Sequence, residues 1–348
     1  MKIKVLVVDD SAVIRSILSA IIDEQPDMMV VGAAPDPLVA KDLIAKVNPD
    51  VLTLDIEMPH MNGLAFLKRL MAVRPMPVVM LSSFTQQGSD VAFQALQLGA
   101  VDFVGKPTLG APVDDKYSKS IVEAIRGAHE ARHNLQANST NKNDARAVLP
   151  NLGKRAMTLQ QVVVIGAATG GAEAVREILT QMPDDAPPVV LALQLPPGIS
   201  RHFVKRLQGE CKMTIREAAD GEPLLPGNVY VAPSGSTVTV ERYESRGYGS
   251  RVVDVNLDGH PVDALFHSAA IAAGSNGCGV ILTGMGNDGA AGLREMHLAD
   301  GHTIAQDEAT SLVYGMPRAA LEAEAVAVEA PLDKIAQHIL GWASWAEV

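Results

Sequence analysis

The chain has 348 residues, a length typical of about two domains, and 47% of them are hydrophobic, which is enough for packed cores. Its net charge of −11 argues against nucleic acid as the main partner, because phosphate binding needs a basic patch. Met1 leads directly into a predicted strand, so we expect no signal peptide. No apolar run reaches the ~18 residues that span a bilayer, and we therefore expect a cytoplasmic protein without membrane insertion.

Four apolar runs in the first ~110 residues are typical of buried strands, and each one ends in a functional group. In chain order they end at Asp9 and Asp10, at Asp55, at Ser82 and at Lys106. Because polar groups at the carboxyl ends of parallel strands share one crevice, we expect these side chains to converge. Three carboxylates so close repel one another unless a cation lies among them, and oxygen ligands suit Mg²⁺. The pattern predicts a phosphorylatable switch; the alternative is that the acidic pair only caps the following helix.

The same runs carry V-L-V-V-D-D-S, L-T-L-D-I-E-M-P, M-L-S-S and F-V-G-K-P, which resemble the motifs of the receiver domain of bacterial response regulators. The resemblance covers residues 1 to about 124 and implies that Asp55 is the phospho-acceptor. It implies that Mg²⁺ is bound by Asp10, Asp55 and the backbone carbonyl of Glu57, with Asp9 in support. It also implies that the residues responding to the phosphoryl group are Ser82, Lys106 and Phe103.

A polar segment rich in Asn, Ser, Thr and Lys follows, from about residue 127 to 157, without a sustained apolar period. Such a composition favours a mobile tether. We therefore predict a receiver domain at residues 1–125, a linker at 126–158 and a second domain at 159–348.

The second domain begins with an apolar strand at 162–165, the glycine-rich loop G-A-A-T-G-G at 166–171, and a helical stretch. Further apolar strands at 189–193 and 280–282 alternate with helical segments, which predicts a parallel sheet. The chain is thus expected to be α/β, with two doubly wound parallel-sheet domains joined by a polar linker. The glycine-rich loop alone could bind a nucleotide, but it has neither G-x-G-x-x-G nor G-K-[ST], so a nucleotide-dependent enzyme is the weakest alternative.

Longer motifs in this domain are P-G-N-V-Y-V-A-P, H-P-V-D-A-L-F-H-S, L-T-G-M-G-N-D-G-A and A-Q-D-E-A-T-S-L-V-Y-G-M-P. Together they resemble the carboxyl-terminal domain of the chemotaxis protein-glutamate methylesterase family, over residues 161 to about 339. The resemblance implies hydrolysis of glutamate methyl esters on chemoreceptors, often with deamidation of receptor glutamines. It implies chemoreceptors as the target and a chemotaxis-type histidine kinase as the phosphodonor.

The chain departs from that family at the chemistry. The family serine nucleophile is replaced by Ala168 and, with the strand aligned on the following Pro-Pro pair, the family histidine base is replaced by Gln194. The aspartate that orients the base is retained as Asp288. The pocket positions that also match are Thr169, Gly170, Gly171 and Met285.

Acyl transfer of this type needs a hydroxyl that attacks and an imidazole that takes its proton. Alanine has no nucleophile, and glutamine cannot accept a proton near neutral pH. We therefore predict an impaired esterase, a pseudoenzyme that binds a partner under phosphoryl control. The alternative is an active hydrolase and deamidase with a relocated nucleophile such as Thr169. Asp288 is expected either to be a relic of the triad or to hold the N-D-G turn, and His202, His260 and His267 are expected to be structural or surface residues.

Overall fold

The computed structural model describes residues 2–58, 61–82, 86–107, 114–132, 160–193, 195, 199–243, 247–254 and 260–345. The chain divides into two compact units, Met1–Lys142 and Asn143–Val348. Each unit contains a parallel sheet with helices between its strands, which confirms the predicted α/β class. Within the described ranges, no helix is both long and apolar enough to cross a membrane.

The first unit is a five-stranded parallel sheet in the order β2-β1-β3-β4-β5. The chain leaves β1 to one side for β2 and returns to the other side for β3, so the strand order reverses between β1 and β3. Ligands of open α/β sheets bind at such a reversal, beyond the carboxyl ends of the strands. The elements are β1 Ile3–Val8, α1 Ala12–Asp23, β2 Met28–Ala34, α2 Pro37–Val47, β3 Val51–Asp55, α3 Gly63–Val73, β4 Val78–Ser82, α4 Gln86–Gln97, β5 Asp102–Gly105 and α5 Asp115–Glu130.

Short polar side chains fix where these helices begin. Ser11, Asp36, Asn62 and Asp114 each accept a hydrogen bond from a backbone N–H in the first turn of the helix that follows. The N-cap of α1 is therefore Ser11, rather than either residue of the preceding acidic pair. Helix α5 continues five residues beyond position 125, and the predicted limits of the linker stay a prediction, because residues 133–159 lie outside the described ranges.

The second unit is built on a seven-stranded parallel sheet in the order β15-β14-β13-β6-β7-β10-β8, with a three-stranded antiparallel sheet, β11-β12-β9, beside it. Here the strand order reverses between β6 and β13. The elements are β6 Val162–Ala167, α6 Gly171–Gln181, β7 Val189–Leu193, α7 Ser200–Glu210, β8 Thr214–Glu217, β9 Pro223–Leu224, β10 Asn228–Val231, β11 Ser236–Tyr243, β12 Gly247–Asp254, α8 Pro261–Ala273, β13 Gly277–Ile281, α9 Ala290–Leu298, β14 His302–Gln306, α10 Gly315–Glu322, β15 Val328–Ala330 and α11 Leu332–Trp345.

Two tyrosines contrast in how their hydroxyls are satisfied. Tyr230 on β10 is fully buried, and its hydroxyl donates to the Pro223 carbonyl and accepts from the Leu225 N–H, both at 2.9 Å. Tyr117 on α5 has a buried hydroxyl without a hydrogen-bond partner among the described residues. Burial, together with the charge of Asp9, raises the pKa of Tyr117, so this hydroxyl stays neutral.

Replacing each tyrosine by phenylalanine separates these two situations. Tyr230→Phe removes the partner of the Leu225 N–H and of the Pro223 carbonyl, so the free energy of unfolding of the second unit falls by about 0.5–1.5 kcal/mol. Tyr117→Phe breaks no hydrogen bond, so the stability of the first unit is unchanged or slightly higher. Chemical denaturation of the full chain measures both, and equal losses in the two variants would contradict this assignment of the hydroxyls.

Candidate functional site

The predicted phosphorylation residues meet at the reversal point of the first sheet. Asp9 directly follows β1 and Asp55 ends β3, and both are fully buried, whereas Asp10 is exposed. The carboxylates of all three lie close together, with one oxygen of each within 4.8 Å of the others. The Lys106 amine, just beyond β5, lies 3.0 Å from Asp9 Oδ2 and 2.8 Å from Asp55 Oδ1. The four side chains therefore share one crevice, as the strand ends predicted.

Burial dominates the electrostatics of this cluster. It raises the pKa of Asp55 to about 6, although the hydrogen bond and charge of Lys106 act to lower it. Burial also lowers the pKa of Lys106, but the hydrogen bonds and charges of Asp55 and Asp9 outweigh it and hold that pKa above its usual value. Lys106 therefore stays charged between the two carboxylates.

The donor set of the crevice fits a divalent cation. Asp55 Oδ2 is buried and has no hydrogen-bond partner among the residues that the structure describes. The Glu57 N–H donates to the other oxygen, Asp55 Oδ1, at 3.1 Å, which places the Glu57 backbone beside the cluster. An unpartnered carboxylate oxygen among three clustered acids matches the hard oxygen ligands that Mg²⁺ takes in proteins.

The remaining switch positions lie on the next two strands. Ser82 ends β4 and is 3% exposed, and its carbonyl accepts the Lys106 N–H at 2.8 Å. Phe103 on β5 is buried and packs edge-to-face on Phe93 of α4, with ring centroids 5.7 Å apart. Arg15 also belongs to this region, since its guanidinium donates to the Asp9 and Asp10 carbonyls. The sequence did not indicate Arg15, because a side chain that binds backbone carbonyls leaves no pattern of residue types.

The loops after β6 and β13 form the corresponding crevice of the second unit. The Ala168 N–H donates to the Thr283 carbonyl at 3.1 Å, and the Thr283 hydroxyl donates to the Thr169 carbonyl at 3.0 Å. A Cβ added to Gly284 would lie 2.9 Å from the Ala168 Cβ, so the two backbones approach closely. Gly170 has a φ of 79°, a left-handed conformation that suits glycine, and precedes the first residue of α6.

These loops depend on two buried residues that the sequence did not single out. Thr283 donates its N–H to Gln306 Oε1 at 2.9 Å, and its hydroxyl accepts the Val313 N–H at 2.9 Å. Both Thr283 and Gln306 are almost fully buried. Both residues lie inside the long motifs that resemble the methylesterase family, and that resemblance was the sequence signal that could have identified them. Gln194, the predicted base position, lies outside the described residues.

Asp288 has a role that neither expectation covered. Its carboxylate accepts the Val262 N–H at 3.2 Å and the Asp263 N–H at 2.9 Å, at the first turn of α8. His260, at the N-cap of that helix, makes no side-chain cap hydrogen bond. Asp288 therefore caps α8 from a different loop and satisfies two N–H groups that lack a partner within the helix. Burial raises the pKa of Asp288, and these two N–H donors act against that rise.

His260 lies beside the same carboxylate. Its Nδ1 is 3.7 Å from Asp288 Oδ1 and 3.9 Å from Asp263 Oδ2, and its side chain is 58% exposed. The three ligand atoms are close enough to hold a metal ion. However, Asp288 already accepts two N–H bonds, Asp263 Oδ1 accepts the Gly292 N–H, and the positive end of α8 repels a cation. The arrangement suits an imidazole rather than a metal.

Comparisons with known proteins identify a family for each of the two units. Residues 163–339 match the family described as CheB methylesterase, and residues 5–112 match the response regulator receiver domain. A protein-glutamate methylesterase/protein-glutamine glutaminase of Cupriavidus metallidurans is 48% identical over 344 residues, covering 97% of this chain and 95% of that protein. The Bordetella bronchiseptica protein of the same name is 49% identical over 345 residues, covering 97% of both.

A solved structure supports the same assignment for the second unit. The crystal structure of the Thermotoga maritima CheB methylesterase catalytic domain is 31% identical, covers 52% of this chain and 97% of that chain, and has a TM-score of 0.50. The chain therefore belongs to the CheB family of chemotaxis response regulators, with a receiver domain and a methylesterase domain.

The capping role of Asp288 predicts a loss of stability that is separate from any loss of activity. Asp288→Ala leaves the two N–H groups at the start of α8 without an acceptor, so the free energy of unfolding of the methylesterase domain falls by about 1–2 kcal/mol. Asn287→Ala, at the exposed neighbouring position, is the matched control and should be close to neutral. Denaturant unfolding measures both variants, and similar midpoints for the two would argue against the cap.

Proposed function

We propose that this chain is a phosphorylation-controlled response regulator whose methylesterase domain binds its target but has lost serine-based ester hydrolysis. A chemotaxis-type histidine kinase is the phosphodonor, and chemoreceptors are the target. The observation that carries the proposal is the methyl group of Ala168 where the family places its nucleophile, inside loops whose backbone hydrogen bonds are intact. The relatives named above support the receptor target, since their names describe protein-glutamate ester and glutamine chemistry.

The receiver chemistry follows from the Asp55 cluster. An Asp55 carboxylate oxygen attacks the phosphorus of the donor, the new O–P bond forms, and the bond to the leaving group breaks in line with it. Lys106 turns its ammonium from the two carboxylates to the transferred phosphoryl oxygens. The Ser82 hydroxyl, at the neighbouring strand end, donates to the same group. Asp10, Asp55 and the Glu57 carbonyl would hold Mg²⁺, which would neutralise negative charge on the transferred phosphoryl group.

The methylesterase chemistry fails at its first step. Without a hydroxyl at position 168 no acyl-enzyme forms, and glutamine at position 194 cannot remove a proton. In serine hydrolases the loss of nucleophile or base costs about 10⁶ in rate, and losing both costs little more. About 10³–10⁴ over water can remain, from binding and backbone donors alone. The crevice thus keeps its shape for binding while its hydrolysis is severely reduced.

Asp55 should be the residue that accepts the phosphoryl group. Asp55→Asn keeps the shape of the side chain but removes the nucleophile, so a small phosphodonor such as acetyl phosphate should leave that variant unlabelled. Removal of Mg²⁺ with EDTA should prevent labelling of the wild type. Asp42→Asn, an exposed position on α2, is the control and should accept phosphate normally. Mass spectrometry measures the phosphate stoichiometry of each protein, and normal labelling of Asp55→Asn would refute the assignment.

The proposed loss of hydrolysis is tested by methanol release from membranes that contain methylated chemoreceptors. The phosphorylated wild type should bind these membranes more tightly than the unphosphorylated chain, yet release methanol at or near background. The double variant A168S/Q194H restores nucleophile and base together, and its rate should exceed that of the wild type by about 10³-fold or more, because the two groups act as a unit. Wild-type turnover equal to that of the double variant would favour a relocated nucleophile such as Thr169, which Thr169→Val would then test.

A further inference from the structure

We propose that His260, oriented by Asp288, is the acid–base group of the methylesterase crevice in place of residue 194. This inference goes beyond the proposed loss of hydrolysis. It rests on the proposed function in one respect, namely that the receptor ester binds in this crevice. The chain would then lack only the nucleophile. The aspartate would still orient an imidazole, and that imidazole would come from the N-cap of α8 rather than from the residue after β7.

The His260 imidazole lies beside a carboxylate whose position is fixed. Asp288 is 7% exposed, and two N–H bonds at the start of α8 fix its position. The 3.7 Å between His260 Nδ1 and Asp288 Oδ1 exceeds a direct hydrogen bond. Such contacts are often long without substrate and tighten when it binds.

The contact with Asp288 also orients the His260 ring. Asp263 and Asp288 both lie within 4 Å of Nδ1, so the Nδ1–H tautomer is favoured and the lone pair is on Nε2. The side chain is 58% exposed, which leaves Nε2 accessible to a substrate. An imidazole with a carboxylate at Nδ1 and a free Nε2 is the arrangement that serves as the general base in serine hydrolases.

The start of α8 lies near the loop of Ala168. A Cβ added to Gly166 would lie 2.1 Å from Val262 Cγ1, and one added to Gly289 would lie 2.5 Å from the same atom. The side chain of Val262 therefore packs against the end of β6 and against the loop after β13 together. His260, the N-cap residue of α8, precedes Val262 by two residues, so the start of α8 packs against the end of the strand that leads to Ala168.

With a serine at position 168, the ester hydrolysis would proceed with His260 carrying the proton. His260 Nε2 takes the serine proton as the oxygen bonds to the ester carbonyl carbon, and it returns that proton to the methoxide as the C–O bond breaks. Water then gives a proton to Nε2 and attacks the acyl-enzyme, and the serine oxygen leaves with that proton. The products are the glutamate carboxyl group and methanol. In the wild type His260 has no serine to act on.

The test introduces the nucleophile alone into the full-length phosphorylated chain. A168S should release methanol from methylated receptor membranes on the order of 10²-fold faster than the wild type, without any change at position 194. A168S/H260Q should fall back to the wild-type rate. A168S/H267Q is the matched control and should keep the A168S rate, since His267 is a similarly exposed histidine on the same helix, paired with Glu295.

The pH dependence gives a readout that a purely structural role would not change. The A168S rate should rise with pH in a way that A168S/H260Q does not show, with Asp263 and Asp288 as the carboxylates that face the His260 ring. A168S/H260N, which like glutamine keeps an amide but no base, should match A168S/H260Q. An A168S rate equal to that of the wild type, or an A168S/H260Q rate equal to that of A168S, would overturn the inference. The proposed loss of hydrolysis fails on a different result, which is a wild type as fast as A168S/Q194H.

Discussion

Both large sheets are parallel, and their central strands are buried on both faces, so a polar side chain reaches a substrate only where a strand ends. Every residue of β3, β4 and β13 is buried, and the working groups appear at or directly after the last residue of such strands. Asp55 and Ser82 end their strands, and Asp288 lies in the loop that follows β13. The reversal of strand order then decides which ends open on a shared crevice. The two sites of the chain are two outcomes of this single constraint.

Each crevice places a basic side chain between two carboxylates, but the negative charge of the carboxylates is compensated differently in the two crevices. In the receiver, Lys106 lies between Asp9 and Asp55, both fully buried, and burial raises the pKa of Asp55. That cluster holds more negative charge than one lysine balances, which favours a cation. In the methylesterase domain, the N–H groups at the start of α8 already stabilise Asp288, and the basic group beside it is an exposed histidine. The positive end of a helix replaces the cation there.

The sequence predicted what depends on local pattern and on strand ends. The alternation of strands and helices and the convergence of Asp9, Asp55 and Lys106 followed from apolar runs and their terminal residues. The contact between Asp288 and the start of α8 did not, because it joins residues 26 apart through a helix cap supplied by another loop. His260 is 58% exposed, as expected of a surface histidine, but its position beside Asp288 depends on tertiary contacts that no local pattern of residues predicts.

The loop at position 168 keeps its structure with an alanine, because the loop relies on its backbone there. The Ala168 N–H and carbonyl are both engaged, the first with the Thr283 carbonyl at 3.1 Å and the second with the Gly171 N–H at 2.7 Å. The side chain carries none of these bonds, and its methyl group packs against the core of the domain. A serine hydroxyl would add one polar atom to a half-buried position whose backbone partners are already fixed. The fold therefore neither requires a hydroxyl at position 168 nor excludes one.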